Sequence, residues 1–514
     1  MKRYLLISLL ILVHAVATAQ APARPLTVTD VLEKVRAAVG YAALTKLENG
    51  LAIDGGADFL ELKGKFRWRY KPDGSLFHEL QGPISMSLRF DGQTGWVSNW
   101  AGLERRLEME DLESFQTEFW VLSNRWLAPD SPFEIALASV EPGDEQVHLG
   151  LKRRAGILEA EVAVDRKTWL PAKFKYRSTG KTQTWTFESY QTRFGVAVPL
   201  TMIAINESST TRYQVENVSK GANASTELFT LAPRKPIDTD WIRDASPRLE
   251  IKRARSGHLL VKPMIDGRFA GWFLLDSGAG AMIITPRVAN ESGMESFGKV
   301  PVRGVGGTIQ SPFRRGKKFE LGQLVIRNPL YVEIDFAAIS RAIGEEIAGL
   351  CGYDLFARSV VTLDSATPTL ELREPTTFKL EEGTWQEMFI DSNIPHIRCR
   401  FEGDREDVFR LDTGADNTVS FHSPAVDKYL LLEGRQTQSA VAGGVGGTVA
   451  VARGKLNWFE IAGHRFANPQ VNFSLAKSGA FANPYSAGNI GGAFLSKFKI
   501  VFNYGERRIA LIEK

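Results

Sequence analysis

The chain has 514 residues, 44% of them hydrophobic and 24% charged, with 63 Lys and Arg against 59 Asp and Glu. That length outgrows a single hydrophobic core and that composition is too apolar for disorder, so two or three packed domains are expected. A net charge of +4 leaves no cationic excess to neutralise phosphates, which argues against nucleic acid as a partner.

The first residues read as an address. Lys2 and Arg3 precede an apolar run from Leu5 to Val13 that only Ser8 interrupts, and Ala17-Thr18-Ala19 then fits a small-residue cleavage pattern before Gln20. The run is too short to span a bilayer, so residues 1–19 are expected to be a secretory signal peptide. No cysteine stands near the cleavage point to carry a lipid, and no later stretch reaches about 18 unbroken apolar residues. The expectation is a soluble exported protein, periplasmic in a bacterium or extracellular.

Residues 26–232 are expected to form one domain. Asp30 and Glu33 make a D-x-x-E start, Val31, Leu32, Val35, Ala38 and Val39 follow at helical spacing, and Gly40 supplies a stop. The period then changes to two. Ile84, Met86, Leu88 and Phe90 alternate with polar residues up to the turn Asp91-Gly92-Gln93. Val147, Leu149 and Leu151 lead into Arg153-Arg154-Ala155-Gly156, and Leu158, Ala160, Val162 and Val164 return from it. Phe174, Tyr176, Trp185 and Phe187 continue the meander, so an open antiparallel sheet with one helix at its start is predicted. Eight of the eleven tryptophans lie before residue 250, among them Trp68, Trp96, Trp100, Trp120 and Trp126. They predict a large aromatic core under a curved sheet, or an apolar cavity for a lipid or acyl chain. The helix-then-meander order and the segment Val164-Asp165-Arg166-Lys167-Thr168-Trp169-Leu170-Pro171 resemble the lipoprotein-carrier fold of bacterial envelopes. That resemblance implies contact with a lipid or a membrane surface.

Pro233, Pro236 and Pro247 mark residues 233–248 as a linker. Beyond it the chain repeats itself. Phe273-Leu274-Leu275-Asp276-Ser277-Gly278-Ala279 recurs as Phe409-Arg410-Leu411-Asp412-Thr413-Gly414-Ala415. Gly304-Val305-Gly306-Gly307-Thr308 recurs as Gly444-Val445-Gly446-Gly447-Thr448. A block from Gly352 to Asp364 recurs from Gly491 to Asn503. Three blocks in one order at nearly one offset indicate duplication, and the period is far too long for a solenoid. Two lobes are therefore expected, residues 249–378 and 379–514.

Each lobe runs an apolar strand into Asp-Ser/Thr-Gly, then a Gly-rich hairpin, then a closing strand. An aspartate at the end of a buried strand is costly unless its charge is used. Gly278 and Gly414 permit the tight turn that lets two such loops approach, and the hydroxyls of Ser277 and Thr413 are placed to bond across. Asp276 and Asp412 then become two carboxylates that cannot both ionise and must share a proton. Such a dyad can activate a water on one side and protonate a carbonyl oxygen on the other, with no cofactor or metal. Its titration belongs to the pair, so neither residue is given a fixed role at this point.

These residues resemble the retropepsin-like aspartic proteases, with both half-sites in one chain as in the pepsin-like enzymes. The matching pieces are Asp276-Ser277-Gly278, Asp412-Thr413-Gly414, and the closing blocks Gly349-Leu350-Cys351-Gly352-Tyr353-Asp354-Leu355-Phe356 and Asn489-Ile490-Gly491-Gly492-Ala493-Phe494-Leu495. The resemblance implies a mainly β protein with two acid-protease β-barrels, an aspartic-type endopeptidase acting on a peptide or protein. It also implies that Gly304 to Thr308 and Gly444 to Thr448 are flaps over the substrate. Neither flap carries the tyrosine that pepsin-like enzymes place there. Arg410 interrupts the apolar strand of the second lobe, and its head must reach water or an acid. Asp416 reads as a solvent-facing turn residue.

Other chemistries fit less well. The seven histidines form no H-E-x-x-H. Gly180-Lys181-Thr182 looks like the end of a P-loop, but Lys175 stands where its first glycine is needed, and no G-x-S-x-G elbow is present. Arg314, Arg315, Lys317 and Lys318 read as a solvated hairpin. Cys351 and Cys399 are too few for a disulfide framework or a four-thiolate zinc site, and their pairing is left open. The competing function is a non-catalytic peptide- or lipid-binding protein built on the same scaffold.

Overall fold

The computed structural model describes residues 26–138, 143–178, 181–206, 208–221, 228–231 and 236–513. The expected signal peptide and Pro233 lie outside these residues. The chain is mainly β.

The opening helix runs Val28–Val39, and Gly40 ends it with a left-handed φ of 71°. Its capping box uses Thr27 and Asp30, not Asp30 and Glu33 as expected: Asp30 N donates to Thr27 Oγ1 at 3.2 Å and Thr27 N to Asp30 Oδ2 at 3.0 Å. Asp30 can cap Thr27 in return, and this reciprocal pair moves the helix start back by one turn.

The first sheet has thirteen antiparallel strands. Six meander from Leu51–Phe59 to Glu104–Arg106 and seven from Phe133–Leu137 to Ser209–Lys220, and the two sets join where the first strand pairs with the last. Asp91 makes the expected turn, its Oδ1 accepting from Gln93 N at 2.8 Å and Thr94 N at 2.7 Å. One helix at the start does not describe the domain, however. After the short helical turn Tyr41–Leu44, a longer helix, Met109–Leu122, connects the two meanders. Leu112, Phe115, Phe119 and Leu122 give it a helical stripe, and Phe119 meets Trp68 and His78 while Phe115 meets Phe90. Its polar side is tied as well. Glu113 Oε1 accepts from Ile157 N and Leu158 N at 2.7 Å each, and Tyr176 OH donates to Glu118 at 2.8 Å. Beneath it Trp185 stacks on Tyr213, and Trp68 meets Trp185 edge-on and Tyr213 at a tilt. Trp68, Trp126 and Trp185 are buried in the core under this sheet, and Trp100, Trp120 and Trp169 pack against it partly exposed. Burial pushes the His78 imidazole down to about 3, so it packs there as a neutral ring.

The second half holds two lobes with one wiring. In the first, Trp272–Leu275 lies parallel to the closing strand Ile347–Cys351, which is antiparallel to Ile283–Ile284. Ile283–Ile284 runs parallel to Leu330–Glu333, and that strand pairs with Thr308–Arg315 of the first flap. The second lobe repeats each relation with Arg405–Asp412, Gly488–Gly491, Val419–Phe421, Gln470–Ser474 and Gly447–Lys455. A six-stranded antiparallel sheet joins the lobes, three strands from each, with Val361–Asp364 paired to Lys499–Phe502 at its centre. Those central strands end the third repeated block of each copy.

Part of the stretch expected as a linker is woven into the first lobe. Thr239–Trp241 pairs with Leu324–Ile326, and Arg248–Glu250 with Thr369–Glu371. The basic cluster is also less solvated than expected. Arg314 is paired with Glu333 at 2.6 Å, and Arg315 Nη2 donates to Pro83 O of the first domain at 3.0 Å. Cys351 and Cys399 are free and buried.

Phe119 joins helix and sheet, so Phe119→Ala should destabilise the protein by about 3–5 kcal/mol. A lowered urea midpoint with an unchanged slope is the expected observation.

Candidate active site

Alternation within Trp272–Leu275 sends Phe273 and Leu275 into the lobe core and leaves Asp276 at the strand's end. Leu411 and Asp412 repeat this in the second lobe. The next residue of each loop crosses to the other lobe. Ser277 Oγ donates to Leu411 O at 2.9 Å and accepts from Thr413 N at 3.1 Å. Reciprocally, Thr413 Oγ1 donates to Leu275 O at 2.9 Å and accepts from Ser277 N at 3.0 Å. Four buried polar groups are satisfied at once by two hydroxyls, which locks the loops in register.

The glycines that follow leave room for the acids. A Cβ on Gly278 would lie 2.4 Å from Asp412 Cγ, and one on Gly414 would lie 2.2 Å from Asp276 Cγ. Each glycine N–H turns to its own aspartate: Gly278 N donates to Asp276 Oδ1 at 2.7 Å and Gly414 N to Asp412 Oδ1 at 3.1 Å. Each carboxyl thus lies against the glycine of the opposite loop, close enough for the two acids to act on each other. Burial, followed by the charge of Asp412, holds the Asp276 carboxyl well above the usual carboxylate range, against the smaller pulls of Gly278 N–H and Arg410.

Two further residues at this site were missed by sequence reasoning. Asn489 Nδ2 donates to Asp412 Oδ2 at 2.9 Å. The clue was one polar residue where the other closing block has Leu350. His258 Nε2 lies 3.1 Å from Gly414 O, with Ser256 Oγ 2.7 Å from its Nδ1. No motif marked it. Arg410 donates from Nη1 to Ala480 O at 3.3 Å, and Asp412, Asp391 and Asp276 are the acids that face its charge. Asp416 is exposed, as its turn position suggested.

The Gly-rich segments are the tips of two hairpins, Ser296–Arg303 with Thr308–Arg315 and Gln438–Gly444 with Gly447–Lys455. The tips meet. Gly306 N donates to Val445 O at 3.1 Å, and a Cβ on Gly306 would lie 2.3 Å from Gly447 Cα. Gly446 and Gly447 adopt φ of 83° and 125°, which suits only glycine. Val305 packs with Ala442, Val449, Ala480 and Phe481, so the tips also share an apolar contact.

The first domain grips this assembly in two places. Its Leu60 O accepts from Lys299 N at 2.8 Å, and Glu61 pairs with the Lys299 ammonium at 3.1 Å, both on the first flap. The start of the helix Met109–Leu122 holds the second lobe: Asp111 N donates to Asp391 Oδ1 at 2.9 Å, Ser392 N to Asp111 Oδ2 at 2.7 Å, and Asn483 Nδ2 to Glu110 Oε2 at 3.2 Å.

Residues 261–355, which contain Asp276 and the first flap, match the aspartyl protease family. No curated protein matches the chain. Among solved structures the chain is similar to the aspartic proteinase from Irpex lacteus, at 14% identity over 52% of this chain and 97% of that one, with a TM-score of 0.34. A retropepsin-like aspartic protease from Rickettsia conorii is 18% identical over 23% of this chain and 91% of that one, with a TM-score of 0.19. A LolA-superfamily protein from Nitrosomonas europaea is 13% identical over 40% of this chain and 99% of that one, with a TM-score of 0.28.

The crossed hydroxyls and the glycines make separate predictions. Ser277→Ala should strand Leu411 O and Thr413 N, each unmade bond costing about 1–3 kcal/mol, read as a lower denaturation midpoint. Gly278→Ala should drive a methyl into Asp412 and remove activity, even in preparations whose circular dichroism matches the wild type.

Proposed function

We propose that the chain is an exported aspartic endopeptidase that hydrolyses peptide bonds with a water activated by Asp276 and Asp412. One observation carries the reading: two Asp-Ser/Thr-Gly loops from duplicated lobes are clasped so that each carboxyl lies against the glycine of the opposite loop. A structural role does not explain it, since two uncharged residues would close the seam without the desolvation and repulsion that acids bring.

The chemistry follows from one proton shared between two carboxyls. The ionised carboxylate takes a proton from a water whose oxygen bonds to the scissile carbonyl carbon. The protonated partner donates to the carbonyl oxygen, giving a tetrahedral diol. Return of a proton to the amide nitrogen lets the C–N bond break, and the carbonyl reforms as an acid. An extended peptide between the flap hairpins and the dyad would pair its backbone with the exposed N–H and C=O groups of the flap tips, a mode that does without a flap tyrosine. The first domain, through its hold on the first flap and the second lobe, sets the geometry of the cleft, and its open face is a place for a substrate, lipid or membrane surface. The leader-like segment before Gln20 supports export to the periplasm or beyond.

Asp412→Asn and Asp276→Asn should each lower cleavage of an unstructured peptide library by at least about 10²- to 10⁴-fold, the scale of general acid–base catalysis, with the fold retained. A purified Asp412→Asn protein that still cuts would sink the proposal. A wild type that binds peptides without cutting them would place the protein among binding modules.

The raised carboxyl of Asp276 also fixes the sign of a pH effect. As pH rises through its elevated value the shared proton leaves and the acid is lost, while at low pH the partner is protonated and the base is lost. A profile of kcat/KM with both an acid and an alkaline limb is expected, and both limbs should be absent from the residual rate of either Asp→Asn variant.

A further inference from the structure

The two halves of the dyad have unequal surroundings. Asp276 receives Gly278 N on Oδ1 at 2.7 Å, whereas Asp412 receives Gly414 N on Oδ1 at 3.1 Å and also the Asn489 amide on Oδ2 at 2.9 Å. Asn489 is 1% exposed, and its Oδ1 has no partner among the described residues, so Asp412 is the amide's single polar contact. The difference lies in one register position of duplicated strands. In the second lobe Asn489 stands beside Arg410 across the parallel ladder, and in the first lobe Leu350 stands beside Leu274. Residues two apart on a strand share a face, so Arg410 lies on the side of Asp412 and Leu274 on the side of Asp276. The position that gives Asp412 an amide thus holds a leucine in the first lobe, while Arg410, on the side of Asp412, acts on both acids.

A donor aimed at a carboxylate favours its charged form, and an apolar wall favours the neutral one. We propose that Asn489 is the positioning residue that breaks the symmetry of the dyad: its amide holds Asp412 as the ionised carboxylate and leaves the shared proton on Asp276. The inference rests on the proteolytic reading above and assigns its two roles. Asp412 takes the proton from the attacking water, and Asp276 gives its proton to the carbonyl oxygen. The other ionisable groups facing the pair are Arg410 from the strand of Asp412, Tyr504 after the central sheet strand, and His258 through the Gly414 carbonyl. Arg303 of the first flap and Asp391 face Arg410 in turn. Only the Asn489 amide bonds to one carboxyl and has no counterpart on the other.

The test compares pH profiles of kcat/KM on an unstructured peptide for the wild type, Asn489→Leu, and Asn489→Leu with Leu350→Asn. Leucine at 489 restores the residue of the other lobe at nearly the same volume. Its loss of one charge-assisted bond should move the acid limb up by about one pH unit, and the second substitution, which gives the amide to Asp276, should move it back down. An active Asn489→Leu enzyme with an unmoved acid limb overturns the inference and leaves the endopeptidase reading intact. An atomic-resolution crystal structure of the wild type gives a readout independent of turnover. Unequal C–O bonds in Asp276 and equal ones in Asp412 are expected, and the reverse pattern overturns the inference. A wild type that cuts nothing removes the endopeptidase reading, while the bond lengths still decide where the proton sits.

Discussion

Two acids held close together at the seam between the lobes are the constraint around which the second half is arranged. Left alone, like charges so close would push the loops apart, and burial would add to the cost. The clasp of Ser277 and Thr413 opposes that push, because each hydroxyl bonds both ways to the backbone of the opposite lobe. Opening the seam would expose or strand all four bonds together. The small residues beside the clasp follow from the same need, since a side chain on Gly278 or Gly414 would occupy the space of the opposing carboxyl. The central sheet, with Val361–Asp364 against Lys499–Phe502, then fixes the lobes at a second place and keeps the loops from sliding.

Duplication supplied the symmetry, and later divergence shows where it has been relaxed. The strand wiring is the same in both lobes down to the direction of each pair, while the residues facing the dyad differ. The flaps differ too. The first is bound along its strands by Leu60, Glu61 and Pro83 of the first domain, whereas the strand Gln438–Gly444 of the second is largely exposed. Raising the first flap means breaking inter-domain bonds as well as the contact at the tips. Raising the second breaks the tip contact and the flap's hold on Leu475, Ala480 and Phe481 within its own lobe.

Much of this was legible in the chain. Strands with a strict two-residue period, such as Gln146–Arg153 and Glu159–Asp165, lay where alternation placed them, because one face of each is buried against a core. The repeated Asp-Ser/Thr-Gly and Gly-rich blocks pointed to the loops and hairpins that meet, since only backbone geometry and glycine were needed to read them. The helix Met109–Leu122 was missed although Leu112, Phe115, Phe119 and Leu122 stand at helical spacing. Its acidic residues look like a solvated stretch until Glu113 and Glu118 find buried partners in other strands. The pairing of Thr239–Trp241 was hidden for another reason: prolines and charges read as a linker, and a three-residue edge strand takes its identity from its neighbour.

Asn489 and His258 belong to a third kind of miss. Each acts on a loop distant in sequence, so neither the type of residue nor its local spacing signals the contact. Only comparison of the two copies exposes Asn489, as the single polar residue where Leu350 marks the register. A duplicated site carries its own control in this way. Where both copies keep a residue, as with the aspartates and the glycines after them, the pair's shared geometry requires it. Where they part at one position facing a common centre, the difference has a direction, toward charge on one side and toward an apolar wall on the other. Two groups made identical by duplication would hold the shared proton equally on either side. That makes the unequal environment of Asp276 and Asp412 as much a part of the site as the carboxyls themselves.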